Sequence, residues 1–336
     1  LDKRGFNDSL NNFLERAQKE NHLKDFFEVT TVAIRVVAPK TFFQSHRLID
    51  DAYVDLLKKS AENAPLHIPH ILQEIQSIKK FLPEAKLIAA SDSAFHSTIP
   101  VIARRYSIPV EESKKHDIYH FGYHGLSVAS VVRKLNKVVP TVSKAVVCHI
   151  GSGVSITAVK DGKSIDTTMG YDPGSGLIMG SRAGDLPTGA LLALMQAQNL
   201  KPTDAHIYLQ TSGGLKGLTG ESDLRLLLER RAKGDKLASE AVESFVYHIQ
   251  KAIGGYAAVL GGIDALIFTA TASERSPLLR TLIAEPLKGL NIILDKEKND
   301  LCLSRDGVIS PDNSPVLVMV IKTDEADEIL RVSKSF

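Results

Sequence analysis

Along this chain apolar residues recur at two spacings, near-helical stripes and unbroken β-branched runs, and their alternation predicts an α/β protein. In 6–27, Leu10, Phe13, Leu14, Ala17 and Leu23 fall near one helical stripe. The run 29–37 is β-branched and continuous, as in a buried strand. Helical patterns over 50–61 and 71–81 lead to a short apolar strand, 86–91, which stops at Asp92. Polar residues just past a strand's carboxyl end are favoured site positions. Helices over 98–105 and 126–135 precede a strand at 145–149, a Gly-Ser-Gly turn, a strand at 154–159, the turn Lys160-Asp161-Gly162-Lys163 and a third strand to 168. The region 187–260 reads as mostly helical, most strongly over 236–260. A buried strand at 265–269, a helix over 277–287, a strand at 316–321 and a helix over 324–332 close the chain.

At 336 residues the chain exceeds the span of one hydrophobic core, so two domains are expected, with a boundary near 92–100 and no low-complexity linker. Lys and Arg number 41 against 39 Asp and Glu, and no basic block stands out, which argues against a nucleic-acid partner. The most apolar stretch, 252–272, holds Asp264 and two glycine pairs and falls short of a membrane span. Cys148 and Cys302 make neither a disulfide framework nor a metal cluster, and a reducing, cytoplasmic compartment is expected. Leu1-Asp2-Lys3-Arg4 contains neither an apolar signal core nor an initiator Met, so a further N-terminal segment is expected.

Candidate chemistry gathers at glycine turns. In His149-Ile150-Gly151-Ser152-Gly153 two glycines let the backbone turn tightly and present N–H groups to an anion, although Gly-x-Gly also makes an ordinary hairpin. Gly162-Lys163-Ser164 ends like a Walker loop, but the first glycine would fall at Thr157. The segment Gly174 to Gly180 has one residue too many for a dinucleotide fingerprint. Arg182, between glycines in Met179-Gly-Ser-Arg182-Ala-Gly-Asp185, is either a phosphoryl-binding arginine or a solvated loop residue. His67 and His70 lack a third ligand and are read as structural; among 116, 120 and 124, only His124 sits on a glycine turn as a candidate.

Taken in order, these segments resemble the acetate kinase family, with its propionate and butyrate kinases, of the sugar kinase, Hsp70 and actin superfamily. The matching segments are Arg35-Val-Val, Ala64-Pro-Leu-His-Ile-Pro, Ser91-Asp-Ser-Ala-Phe-His-Ser-Thr-Ile-Pro, Phe121-Gly-Tyr-His-Gly, His149-Ile-Gly-Ser-Gly and Asp166-Thr-Thr-Met-Gly-Tyr. Met179-Gly-Ser-Arg-Ala-Gly-Asp, Ser222-Asp-Leu-Arg, Phe268-Thr-Ala and Thr323-Asp-Glu continue the order. The resemblance implies a two-domain actin-like ATPase (ribonuclease H-like) fold with a cleft between domains. Domain 1–93 would be completed by the C-terminal helix 326–336, and 94–325 would bind nucleotide and form a homodimer. It implies reversible phosphoryl transfer from ATP, with Mg²⁺, to a short-chain carboxylate, most simply acetate.

By the same resemblance Arg35 would grip the acceptor carboxylate, with Val37, Leu66, Tyr123 and Pro173 around its methyl group. His124 and Arg182 would stabilise the transition state. Asp92 matches an active-site aspartate; since the acceptor brings no proton, orientation of Mg²⁺ or of an arginine is its expected role. Glu325 matches a magnesium ligand. Nucleotide contacts are implied for His149, Ile150, Gly151, Ser152 and Gly153 at the phosphates, and for Asp223, Leu224, Arg225, Thr271, Ala272, Ser273, Glu274 and Arg275 near the adenosine.

The sequence also departs from the family pattern. No Asn-Gly-Ser-rich turn precedes Arg35, so one jaw of the phosphate clamp is either on a segment upstream or lacking. Thr271 and Ser273 replace two glycines beside the adenosine, Ser152 replaces an Asn, Pro173-Gly-Ser-Gly176 replaces Pro-Leu-Glu-Gly, and Ala38-Pro39-Lys40 follows Arg-Val-Val. Two alternatives follow: a variant using another donor such as pyrophosphate, or a degenerate, non-catalytic binding protein.

Overall fold

The computed structural model describes residues 3–25 and 28–336. Two sheets carry the architecture. The first has the order β1-β3-β2, from β1 (Thr31–Val36), β2 (Arg47–Leu48) and β3 (Lys86–Ser91), with β1 parallel to β3. The second has the order β6-β5-β4-β7-β9-β8, from β4 (Lys144–Ile150), β5 (Val154–Lys160), β6 (Lys163–Thr167), β7 (Ala265–Thr269), β8 (Gly307–Val308) and β9 (Leu317–Val320). Strands β4, β7 and β9 run parallel, and β4, β5 and β6 form an antiparallel meander.

The unbroken apolar runs in β4 and β7 follow from burial on both faces. Val146, Cys148, Ile150, Leu266 and Phe268 enter the main core beneath the 25-residue helix Lys236–Leu260. Ala145, Val147, Ala265 and Ile267 face the other way, onto Val128, Val131, Val132 and Leu135 of the helix Gly125–Val138. Helix Lys236–Leu260 has firm ends: the Asp235 carboxylate accepts from Ala238 N, and Gly261 follows its last turn at φ 65°. Between β5 and β6, Asp161 and Gly162 both take positive φ, 50° and 74°, as a tight hairpin turn demands. The closing helix Glu325–Ser333 returns to pack on β1, β3 and Gly125–Val138.

The fold departs from the pattern along the chain in a few places. The N-terminal helix covers Lys3–Lys19 and does not run on towards residue 27: Asn21 turns left-handed at φ 60°, and the N–H groups of His22 and Leu23 both fold back on the Ala17 carbonyl. Leu1, Asp2, Phe26 and Phe27 lie outside the described residues. Over 98–105 the chain forms a 3₁₀ turn, Ala94–Thr98, and one helical turn, Val101–Arg104, because Pro100 interrupts the pattern. Helices Val110–His116 and Lys296–Leu301 are too short and polar to show a stripe. Both cysteines are buried free thiols. Among the described residues no helix is long and apolar enough to cross a membrane.

Candidate active site

The carboxyl ends of β1, β3, β4 and β7 open onto one cleft, where chain leaving parallel strands presents its polar groups. This cleft, of about 490 Å³, brings together Arg35, Val37, Leu66, Asp92, Tyr123, His124, His149, Gly151, Ser152, Gly153, Pro173, Arg182, Thr271 and Glu325. Arg35 and Arg182 therefore share a cavity although 147 positions, from 35 to 182, separate them in sequence. A second cavity, about 890 Å³ and more apolar, shares Gly151, Ser152 and Thr271 with the first. It is lined by Asp223, Leu224, Arg225, Ala272 and Arg275, and also by Gly180, Ser222, Phe245 and Leu279. Ile150, Ser273 and Glu274 line neither cavity.

The last two explain why the loop stays open despite losing its glycines. Ser273 is fully buried, its hydroxyl donating to the Thr269 and Ala270 carbonyls. Glu274 turns inward, and its carboxylate accepts from the N–H groups of Ala270 and Thr323. Only Thr271 and Ala272 face outward beside Arg275. Fully buried Arg280 fixes this loop from behind, donating to the carbonyls of Ser273, Glu274, Asn299 and Cys302 and to Asn299 Oδ1. Arg280→Met would orphan those buried oxygens, and a loss of about 3 kcal/mol in unfolding free energy is expected in chemical denaturation.

Arg35 forms the hub of the acceptor side. Its Nη2 donates to Asp92 Oδ2 and its Nη1 to Glu325 Oε2, both at 2.9 Å. About a third of the side chain still reaches solvent, whereas Asp92 is sealed. Asp92 Oδ2 also accepts from His124 N at 2.8 Å, and its Oδ1 is buried without a partner. Burial works to raise the Asp92 pKa, but the charge and hydrogen bond of Arg35, with the His124 N–H, outweigh it and hold the carboxyl below its usual range. Glu325 moves the other way, because burial outweighs its arginine partner.

His124 caps the helix Gly125–Val138 at φ 61°, a left-handed conformation costing about 1 kcal/mol, fixed by its N–H bond to Asp92. Its ring stacks on that of His149 with centroids 3.9 Å apart. Ser155 Oγ lies 3.0 Å from His124 Nδ1 and Ser127 Oγ 2.8 Å from His149 Nδ1, which orients both rings. A methyl group placed on Gly153 would meet His124 Nε2 at 2.9 Å and Arg182 Nη1 at 3.4 Å, so both groups converge on the Gly-Ser-Gly turn. Arg182 Nη1 donates to the Pro173 carbonyl at 2.8 Å. Burial lowers its pKa against the pull of the Asp172 carboxylate, and the like charge of Arg35 adds to the lowering.

Five buried or half-buried histidines are held neutral. Desolvation takes His149 to about 3 and His67, His96 and His120 to about 4, and it drives His124 well below 6.5. A group with a depressed folded pKa adds stability that is present above its unfolded value and lost as pH falls through the folded value. The melting temperature should therefore fall between pH 6.5 and about 4, with turnover showing no histidine limb near 6.5 while the fold persists. Asp166, raised to about 6 by burial, acts in the opposite sense. Thermal melts beside initial rates across pH 4–8 check this.

His67 and His70, read from sequence as structural, both line the cleft. The signal was the matching segment Ala64 to Pro69, in which His67 adjoins Leu66 and after which His70 comes next. Among the described residues no group of three or more His, Cys, Asp or Glu is placed to hold a metal.

The Acetokinase family profile matches residues 1–331. Acetate kinase of Flavobacterium johnsoniae is 39% identical over 307 residues, covering 91% of this chain and 78% of that protein. Acetate kinase of Thermoanaerobacterium thermosaccharolyticum is 39% identical over 309 residues, 90% of this chain and 77% of that one. Among solved structures, Porphyromonas gingivalis acetate kinase superposes with a TM-score of 0.88 at 29% identity, over 98% of this chain and 84% of that chain. A propionate kinase from Francisella tularensis gives 0.89 at 32% identity, with the same coverage.

Proposed function

The chain belongs to the acetokinase family, and from that membership we propose that it transfers the γ-phosphoryl group of ATP reversibly to acetate, giving acetyl phosphate and ADP. It is a kinase with a carboxylate acceptor on the actin-like ATPase fold. The observation that carries this reading for its own residues is the shared cleft of Arg35 and Arg182, open to a second cavity large enough for a nucleoside. A pyrophosphate donor would leave that second cavity without a role. The lobes are read as 1–93 with 326–336, and 94–325.

The acceptor carboxylate is ionised near neutral pH, since such acids titrate near a glutamate, at about 4–5. No base is needed: a carboxylate oxygen attacks phosphorus as the bond to the bridging oxygen of ADP breaks, and no proton moves. Catalysis is then alignment of two anions and stabilisation of the charge on the migrating group. Arg35 pairs with the carboxylate, while Val37, Leu66, Tyr123 and Pro173 enclose the methyl group. Arg182 and neutral His124 donate to the phosphoryl oxygens above the Gly-Ser-Gly turn. Asp92, saturated at Oδ2 and held ionised, orients Arg35 and His124.

Mg²⁺ fits the residues present. Asp92 Oδ1 is a buried oxygen without a partner, and Glu325 lines the same cleft. One or two carboxylates completed by water and phosphate oxygens are the usual set for this cation. When bound it would supply charge neutralisation on the nucleotide phosphates. The protein is read further as cytoplasmic and homodimeric. Support for a dimer comes from helix Thr188–Gln198, which is apolar yet has no buried residue.

Purified protein given ATP, Mg²⁺ and acetate should form acyl phosphate, trapped by hydroxylamine as the hydroxamate. Absence of product with acetate, propionate or butyrate and any nucleoside triphosphate would reject the assignment.

A further inference from the structure

Arg182 sits on a loop, yet one helix outside the cleft holds it from both ends. The helix Pro202–Thr211 holds the residue on each side of it: the Ser181 hydroxyl donates to the Gln210 carbonyl at 3.1 Å, and Ala183 N donates to the Leu209 carbonyl at 2.9 Å. Gly213 N, just past that helix, donates back to Ser181 O at 3.0 Å. The guanidinium end is tethered too, since its acceptor, the Pro173 carbonyl, follows Asp172 directly.

Asp172 pins that turn. Its Oδ1 accepts from Gly174 N at 2.7 Å and from Ser175 Oγ at 3.2 Å, and its Oδ2 lies 3.0 Å from His206 Nε2 on the same helix. The Gln210 amide, one helical turn on, touches the same His206 nitrogen and is buried under the turn; with that nitrogen protonated toward Asp172, the amide presents its oxygen, which gives the otherwise unpartnered Oε1 a donor. A methyl group on Gly174 would come within 3.1 Å of Gln210 Cγ, so the turn rests directly on this side chain.

We propose that His206 is a positioning residue for phosphoryl transfer: its Nε2–H donates to Asp172 and so fixes the carbonyl against which Arg182 is aimed. Pro173 also walls the acyl pocket, so the same latch sets the fit of the acid. The helix thus braces Arg182 at main chain and guanidinium together, with His206 as the side chain that closes the brace. The inference rests on the proposed carboxylate kinase reading.

Three proteins test it: wild type, His206→Leu, which loses the donor, and His206→Gln, which restores an N–H donor at a similar reach. Hydroxamate formation gives kcat and the acetate KM, and calorimetry gives nucleotide affinity at the second cavity, which His206 does not line. The expected result is a ten- to hundredfold loss of kcat/KM for acetate in His206→Leu, nucleotide Kd within about twofold, and recovery to within about threefold in His206→Gln. Should His206→Leu fail to fold, Asp172→Asn is read in its place and should show the same split between acid and nucleotide. Unchanged acetate kinetics in the folded variant would overturn the proposal. So would parallel loss of acetate turnover and nucleotide binding with no recovery in His206→Gln. An inactive wild type would instead reject the kinase reading, which keeps the two failures distinct.

Discussion

Arg182→Ala is expected to slow acyl phosphate formation by about a thousandfold, or about 4 kcal/mol of transition-state stabilisation, while nucleotide affinity changes little. A guanidinium placed on a migrating phosphoryl group acts where charge redistributes during transfer, and a partly buried site keeps that interaction strong. The geometry supplies both conditions. Arg182 Nη1 reaches the Gly153 turn beside His124 Nε2, and burial with the neighbouring Arg35 lowers its pKa, the mark of a cation poised without full compensation. A negatively charged substrate relieves that deficit. The cavity proposed for the nucleotide does not include Arg182, so nucleotide affinity is the internal control. Initial rates by hydroxamate trapping, with calorimetry for ADP, make the measurement.

The second large effect is expected at Asp92. Asp92→Asn removes the charge that holds Arg35 and weakens the acceptor of the strained His124 N–H, so both sides of the reacting complex loosen together. A roughly hundredfold fall in kcat/KM for acetate is expected, with most of it in KM because Arg35 is the partner proposed for the carboxylate. Breaking a buried pair by neutralising one member is destabilising, and with Arg35 partly solvated the cost is about 2 kcal/mol. The pH signature has a definite sign. The folded pKa of Asp92 lies below its ordinary value of 3.8, so its contribution is present above that value and lost as pH falls beneath it. The variant should therefore lose less stability than wild type between pH 4 and 2, as acid denaturation would measure.

Much of the fold was legible because its signals are local. The runs at β3 and β7 could be read to the residue, since strands buried on both faces have no polar interruptions. The Asp161-Gly162 turn and the capped helix Lys236–Leu260 announced themselves by residue type. Short edge strands such as β2 and β8, two residues each, are made by their neighbours and carry no pattern of their own. Lys40 and Ala270 take positive φ, 96° and 69°, which neither residue type advertises.

The candidate site was legible through the order of its motifs, and the cleft collects most of the residues so marked. Its supports were not. Ser127 and Ser155, which orient the stacked histidines, and Arg280, which carries the loop behind Thr271, are ordinary residues in ordinary helices and strands. Their roles depend on contacts between segments far apart in sequence. Ser273 shows the reverse: the side chain that replaces a glycine there is turned into the core by its own hydrogen bonds.

Phosphoryl transfer as proposed requires that groups from both lobes meet around one migrating phosphoryl group beside a small acyl pocket. A crystal structure with ADP, Mg²⁺, aluminium fluoride and acetate tests it most directly, because the metal fluoride stands in for the phosphoryl group in flight. Fluoride is expected within hydrogen-bonding distance of Arg182 and His124, with the acetate carboxylate on Arg35 in line with it. Aluminium fluoride bound away from Arg182 and His124, or acetate lodged outside the cleft, would contradict it.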